Sequence, residues 1–235
     1  MRSAGTSGNG AKKRDPARIR AQILHAGSVE FARHGLAGAR VDRIAARSGS
    51  NKRMLYYYFG DKKSLYLAVL EQAYADIRTA EQELALLDMP PAEGVKRLVE
   101  FTWNYYIAHP EFLTMLNTEN LHRAQHLKGS RHIRSTNSPL IETLREILRR
   151  GAARGEFRRG VDALQLYISI AALSYFYLSN IYTLSVVFSR NLSLPAARKQ
   201  RLAHMTEVVL GYLRPQGKAA RIRKNGTKDR LKEGN

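Results

Sequence analysis

Between positions 51 and 62 the chain gathers Asn51, Lys52, Arg53, Tyr56, Tyr57 and Lys62. These are cations, phenol hydroxyls and an amide. Such groups make no nucleophile or acid–base pair, but they donate hydrogen bonds to phosphate oxygens and to base edges. Lys52, Arg53, Tyr56 and Tyr57 lie away from the helical face that carries Leu55 and Phe59, so the apolar pair anchors the helix and the polar groups face outward. A basic surface on a small helical bundle, with its tyrosines half-packed, would use the same residues. Other chemistry has less support. Glu119, His122 and His126 share a helical spacing that suits a metal, but Arg123, Lys128 and Arg131 make their surroundings cationic and no further ligand is assured. A solvated helix end without metal is expected there. The chain has no phosphate-cradling Gly loop, nucleophile motif or acid–base pair at a defined spacing, so neither an enzyme nor a cofactor is expected.

The elements that must position these side chains can be read from periodicity and breakers. From Pro16, the residues Ile19, Ile23, Ala26 and Glu30 or Phe31 recur at helical spacing until His34-Gly35 supplies a stop. A short helix fits 41–48, with Val41, Ile44 and Ala45 inward, and Gly49-Ser50 interrupts it. A third helix fits 51–58 with Asn51 as its N-cap. Two helices of about two turns, joined by a turn that needs a left-handed residue at Gly49, describe a helix-turn-helix. In such a unit the second helix enters the major groove while the first crosses the phosphate backbone. A long helix follows over 62–87, and breaks at Pro90-Pro91, His109-Pro110, Gly129-Ser130, Ser138-Pro139, Gly155 and Pro195 divide the rest into 92–108, 111–127, 139–153, 161–188 and 195–213. The expected fold is all-α with about nine helices. Residues 1–15 read as a flexible basic arm, 16–63 as the DNA-binding head, 64–213 as a helical body and 214–235 as a disordered basic tail.

Charge supports this division. The chain has 235 residues, of which 44% are hydrophobic and 25% charged, the composition of a folded protein with a sizeable core. Its formal charge of +19 points to a polyanion, either nucleic acid or an anionic membrane. Of that excess, +10 falls in residues 1–63 and +6 in the last 22, while 64–213 carry only +3. The absence of cysteine excludes disulfides, thiol chemistry and zinc–thiolate fingers. The first twenty residues lack the apolar stretch of a secretory signal, so a cytoplasmic protein is expected.

The stretch Ile23-Leu24, Ala26, Phe31-Ala32, Gly35, then Ile44-Ala45, Gly49, Leu55-Tyr56-Tyr57-Tyr58-Phe59, Lys62 and Leu65 resembles the DNA-binding domain of the tetracycline-repressor-like (TetR/AcrR) transcriptional regulators. It covers about 50 residues with the family's internal spacings. The resemblance implies a homodimer whose heads bind an inverted repeat of double-stranded DNA, and a divergent helical body that supplies the dimer interface and usually an effector pocket. It implies a phosphate contact for Tyr56, base and nearby phosphate contacts for Tyr57, Lys52 and Arg53, and a backbone contact for Lys62. Two positions depart from the family pattern. Ala39-Arg40 stands where a Thr or Ser usually caps the second helix, so Asp42 partly offsets the lost cap through the helix dipole and Arg40 offers a longer phosphate contact. Arg53 stands where the family tends to have a small residue, and base readout at guanine and a phosphate clamp are equally open to it.

The body's functions are less sharply marked. Residues 163–189 are uncharged, long enough to span a bilayer, but their many Ser, Thr, Asn, Gln and Tyr residues favour a buried helix in a protein without membrane association. On the last helix, Leu202, Met205, Val209 and Tyr212 form an apolar stripe suited to dimerisation or to the protomer's own core. Trp103, Tyr105, Tyr106, Phe112 and Met115, with Tyr175, Phe176 and Asn180, would suit a mostly apolar cavity for a small organic effector. They would equally suit a plain aromatic core. The expected function is a repressor released by such an effector. The alternatives are an architectural DNA-binding protein without ligand control and a membrane-associated basic protein.

Overall fold

The computed structural model describes residues 15–215, with backbone only for 131, 132 and 134–138. The readings of the arm before Asp15 and of the tail beyond Pro215 lie outside the described residues. Among those described there are ten α-helices and no strand: α1 Pro16–Gly38, α2 Val41–Arg47, α3 Lys52–Phe59, α4 Lys62–Gln82, α5 Pro91–Ala108, α6 Pro110–Leu121, α7 Arg131–Ala153, α8 Ala163–Ser179, α9 Ile181–Val187 and α10 Pro195–Leu213. The tenth helix arises because the expected 161–188 helix breaks. Asn180 leaves helical geometry and its side-chain amide donates to the Phe176 carbonyl at 2.9 Å, closing α8. Helices α8 and α9 then meet at 68°. Three other boundaries move. The expected 62–87 helix stops at Gln82, because Ala85 adopts a left-handed conformation before a 3-10 turn at Leu86–Asp88. The 111–127 helix stops at Leu121, with Arg123 and Ala124 at positive φ. Helix α7 starts eight residues before Pro139, where the Ser130 hydroxyl accepts from the Ile133 N–H.

The chain forms two compact units that divide between Gln72 and Ala73, within α4. The sequence reading closes the head at residue 63. The difference has a packing reason: Leu65, Tyr66, Val69 and Leu70 of α4 are buried, and Tyr66 meets Phe31 of α1 edge-on at 5.0 Å. In the head, Asp15 caps α1 by accepting from the Ala17 N–H at 3.0 Å, with Pro16 at the first helical position. Helical geometry is interrupted at Gly35, as its position in the sequence suggests.

In the second unit, α5, α7, α8 and α10 enclose a core that includes Leu98 and Trp103, Leu144 and Ile147, Leu166 and Ile170, and Met205 and Val209. A smaller cluster joins Ile77, Tyr106, Phe112 and Leu113. Among the described residues no single helix is long and apolar enough to cross a membrane. The uncharged run is instead two bent helices, and α8 buries Leu166, Ile170, Ser174 and Tyr177.

Candidate nucleic-acid interface

In the head, α2 and α3 are joined through Gly49, whose φ of 62° is the left-handed value the turn requires. Asn51 caps α3 as expected, its side-chain oxygen accepting from the Met54 N–H at 3.0 Å. Leu55 is buried, while Phe59 is only half-buried beneath the Arg20 guanidinium. The opposite face is open. Lys52 and Arg53 are exposed, Tyr56 is 49% exposed and Tyr57 78%. A large aromatic at 78% exposure contributes little to the head's own packing and is free to meet a partner.

Two cations have partners within the protein. Lys52 Nζ pairs with Asp42 Oδ1 at 2.5 Å on the surface, so Asp42 serves that lysine as well as the α2 dipole. Lys62 is half-buried and its Nζ donates to the Ala39 and Ala37 carbonyls at 3.1 and 3.3 Å, tying the start of α4 to the α1–α2 junction.

At that junction the structure shows a residue whose role the sequence reading misses. No side chain of α2's own N-cap residue, Arg40, caps the helix. Instead Glu30 of α1, 2% exposed, accepts from the Arg40 N–H at 3.0 Å and from Arg43 Nε at 2.7 Å. Arg43 also donates to the Gly38 carbonyl at 2.9 Å. Burial raises the Glu30 carboxyl, but the Arg43 hydrogen bond, the Arg40 N–H and the nearby positive charges outweigh it and hold the group below the usual glutamate value. Glu30 thus supplies, from another helix, the negative charge and acceptor missing at Ala39-Arg40. The available signal is a carboxylate on the apolar stripe of α1, which needs a cation to be buried. The Arg40 side chain itself is exposed, as a phosphate contact requires.

In the second unit the residues suggested for an effector fall in different places. Tyr106 and Phe112 share the smaller cluster, with ring centroids 6.1 Å apart, and Tyr175 packs at its edge with its hydroxyl donating to Asn117. Trp103 belongs to the main core against Tyr177. Met115 is buried, Asn180 closes α8, and Phe176 is 57% exposed. The last-helix stripe divides likewise. Met205 and Val209 are buried in the protomer's core and Leu202 packs against it, whereas Tyr212 is exposed beneath the Arg158 guanidinium. Met205 and Val209 therefore offer no surface to a second copy. Glu119 and His126 form a buried pair at 2.7 Å instead of a solvated end, while His122 bonds to the Thr118 carbonyl. Among the described residues no group of three or more His, Asp or Glu side chains is placed to hold a metal ion.

Residues 23–69 match the bacterial regulatory proteins of the tetR family, and residues 91–209 match the tetracyclin repressor-like C-terminal domain. The chain belongs to the TetR family. This TetR-family protein is a DNA-binding transcriptional regulator and not an enzyme, and the helix-turn-helix of α2 and α3 is its DNA-binding element. It is 38% identical over 209 residues to the HTH-type transcriptional repressor NicS of Pseudomonas putida, which covers 89% of this chain and 99% of NicS. It is 41% identical over 109 residues to the HTH-type transcriptional repressor SCO4008 of Streptomyces coelicolor, covering 46% and 53% of the two chains. The fold is shared with the ketosteroid transcriptional regulator KstR2 of Mycobacterium tuberculosis, at a TM-score of 0.60 and 21% identity over 84% of this chain and 95% of that one. The same holds for the fatty acid degradation regulator FadR of Bacillus halodurans, with a TM-score of 0.59, 17% identity, and 83% and 99% coverage.

Proposed function

We propose that the chain is a cytoplasmic, homodimeric repressor that binds an inverted-repeat operator and is released when a small organic effector occupies its body. The outward face of α3 carries this reading: Lys52, Arg53, Tyr56 and Tyr57 stand exposed on a helix anchored by Leu55. Repression, rather than activation, takes its support from NicS and SCO4008, both named as repressors. Tyr56, Lys62 and Arg40 hold phosphates, Tyr57 and Arg53 reach base edges, Lys52 exchanges Asp42 for DNA, and Asn51 fixes the start of the helix. The effector acts by favouring one spacing of the two heads over the spacing that fits successive major grooves, about 34–36 Å apart.

Dimerisation is supported by an apolar face that the protomer leaves uncovered. Leu164, Ile168, Ala172 and Phe176 recur every fourth residue along α8 and are all exposed. Val208 and Tyr212 are exposed on α10, which packs against α8. Two such helices and their symmetry mates would form an isologous four-helix interface. Ile168→Glu is expected to shift the protein from dimer to monomer in analytical ultracentrifugation and to weaken operator binding; a variant that stays dimeric would remove this face from the interface.

Base and phosphate roles separate in a binding assay. Arg53→Ala should relax preference at one base pair by roughly 1–3 kcal/mol, and uniform weakening over operator variants would assign it to phosphate. Lys62→Ala should weaken specific and nonspecific binding alike and reduce the salt slope by about one. An unchanged slope would confine Lys62 to the Ala37 and Ala39 carbonyls.

A further inference from the structure

Residues 145–160 hold six arginines against two glutamates, a net charge of +4, whereas the whole of 64–213 carries only +3. The positive excess of the body thus lies on one short stretch, and the remainder is slightly acidic. That stretch runs from the last turns of α7 into the connection to α8. The Glu156 and Phe157 N–H groups donate to the Gly151 carbonyl, and the Arg158 N–H donates at 2.7 Å to the Leu213 carbonyl at the end of α10. Chain reversal therefore gathers Arg145 and Arg149 of α7, Arg154, Arg158 and Arg159 of the connection, and Arg214 beyond α10. Arg158 and Arg159 line two adjoining surface hollows, one with Arg145 and Arg149 and the other with Pro215. Residues 216–235 continue from that point and add seven Lys or Arg against two acids.

The neighbouring groups do not cancel this charge. Arg145 and Arg149 pair with Glu142 and Glu146, one turn back, and Arg154 stands 3.8 Å from Glu156. Arg150 is engaged by the Leu87 and Met89 carbonyls, and Asp162 accepts from the Gln165 N–H as the cap of α8. Arg158 lies over the Tyr212 ring, and neither it nor Arg159 nor Arg214 has a carboxylate partner among the described residues. The C-termini of α7 and α10 attract cations here, but two helix ends amount to about one negative charge against three unpaired arginines. Such a surface fits a polyanion, and arginine in particular grips phosphate oxygens in pairs. The family's function makes duplex DNA the polyanion at hand. We propose that this arginine-lined end of the second unit is a further DNA contact, holding the phosphate backbone without reading sequence, in addition to α3 of the head.

Fluorescence anisotropy tests this, with a short labelled duplex of random sequence titrated with the full chain over a range of salt. One variant combines Arg154→Ser, Arg159→Ser and Arg214→Ser, whose side chains are all exposed. It is expected to bind duplex about tenfold or more weakly at low salt, with the salt slope reduced by about two to three. A second variant, Arg145→Ser with Arg149→Ser, lowers the charge from α7 alone and should move both readings in the same direction. Circular dichroism melting and sedimentation check the fold and association state of each. On fragments recovered by genome-wide mapping of bound sites, the loss caused by a single-base change should be the same in the variants as in wild type. Unchanged duplex affinity and salt slope in both variants overturn the proposal. Altered discrimination between bases overturns it too, because a backbone contact carries no sequence information. Vesicles of phosphatidylglycerol and phosphatidylcholine serve as the lipid control: variants that lose vesicle binding but keep duplex binding would assign the surface to a membrane and overturn it as a DNA contact.

Discussion

Glu30→Ala is expected to destabilise the head by about 2–3 kcal/mol and to take operator binding with it. The carboxylate is buried and serves the Arg40 N–H and the Arg43 guanidinium together. Its removal leaves the start of α2 without an acceptor and frees Arg43 from the Gly38 carbonyl region. The figure lies below that for a fully buried pair because the Arg43 side chain is 42% exposed and recovers hydration. Glu30→Gln should fall between the two, since its amide oxygen still accepts from the Arg40 N–H while its NH₂ faces a cation. The chain's single tryptophan, Trp103, lies in the core of the second unit, so its fluorescence reports that unit and should not change. Faster amide exchange along α2 and α3, with an unchanged Trp103 transition, is the expected signature. Equal loss in both units would show that Glu30 is not a local support. The same carboxylate gives a pH dependence. Its value is lowered on folding, so its contribution is present above the ordinary glutamate value and disappears as pH falls through the folded one. The head should therefore lose exchange protection in acid, and Glu30→Gln should lose less over that range.

Gly151→Ala is expected to destabilise the second unit by roughly 2 kcal/mol or more, against the usual sign of this substitution in a helix. On exposed helices the change is worth about 1 kcal/mol in favour of Ala. Here a Cβ would stand 2.1 Å from Cδ2 and 2.7 Å from Cγ of Phe157. That ring cannot simply rotate away. Phe157 is 5% exposed in the main core, and its N–H and that of Glu156 both donate to the Gly151 carbonyl, which folds the chain back over the end of α7. Either the ring leaves the core or the end of α7 shifts, and displacing a buried Phe is the more expensive outcome. Denaturant unfolding followed by Trp103 fluorescence checks it. An unchanged or raised midpoint would mean the turn absorbs a methyl group without moving Phe157.

Helix positions around the head are legible locally. The Pro16 start, the Gly35 stop, Gly49 and the Asn51 cap act within a few residues of themselves, and each appears where the spacing puts it. The same local logic places Leu55 inward and Lys52, Arg53, Tyr56 and Tyr57 outward, because a short helix has one face to bury and the rest to leave open. It fails at Phe59, half-buried, and at Glu30, whose partners lie 10 and 13 positions away. In the second unit, periodicity identifies apolar faces without saying what covers them. Met205 and Val209 turn to the protomer's own core while Val208 and Tyr212 stay outside, a difference of about a quarter-turn that depends on how α10 is rotated against α5 and α8. The eight suggested effector residues are divided among two clusters, other buried positions and the surface, while Arg78, unremarkable in the chain, meets a tyrosine 89 positions away. The sequence alone thus determined an all-α chain with a helix-turn-helix head, because capping, breaking and helical period are properties of neighbouring residues, and the resemblance of its motifs to a known family added the regulator. The partners of buried charges and the faces left open were decided by packing, because they depend on contacts between helices far apart in the chain.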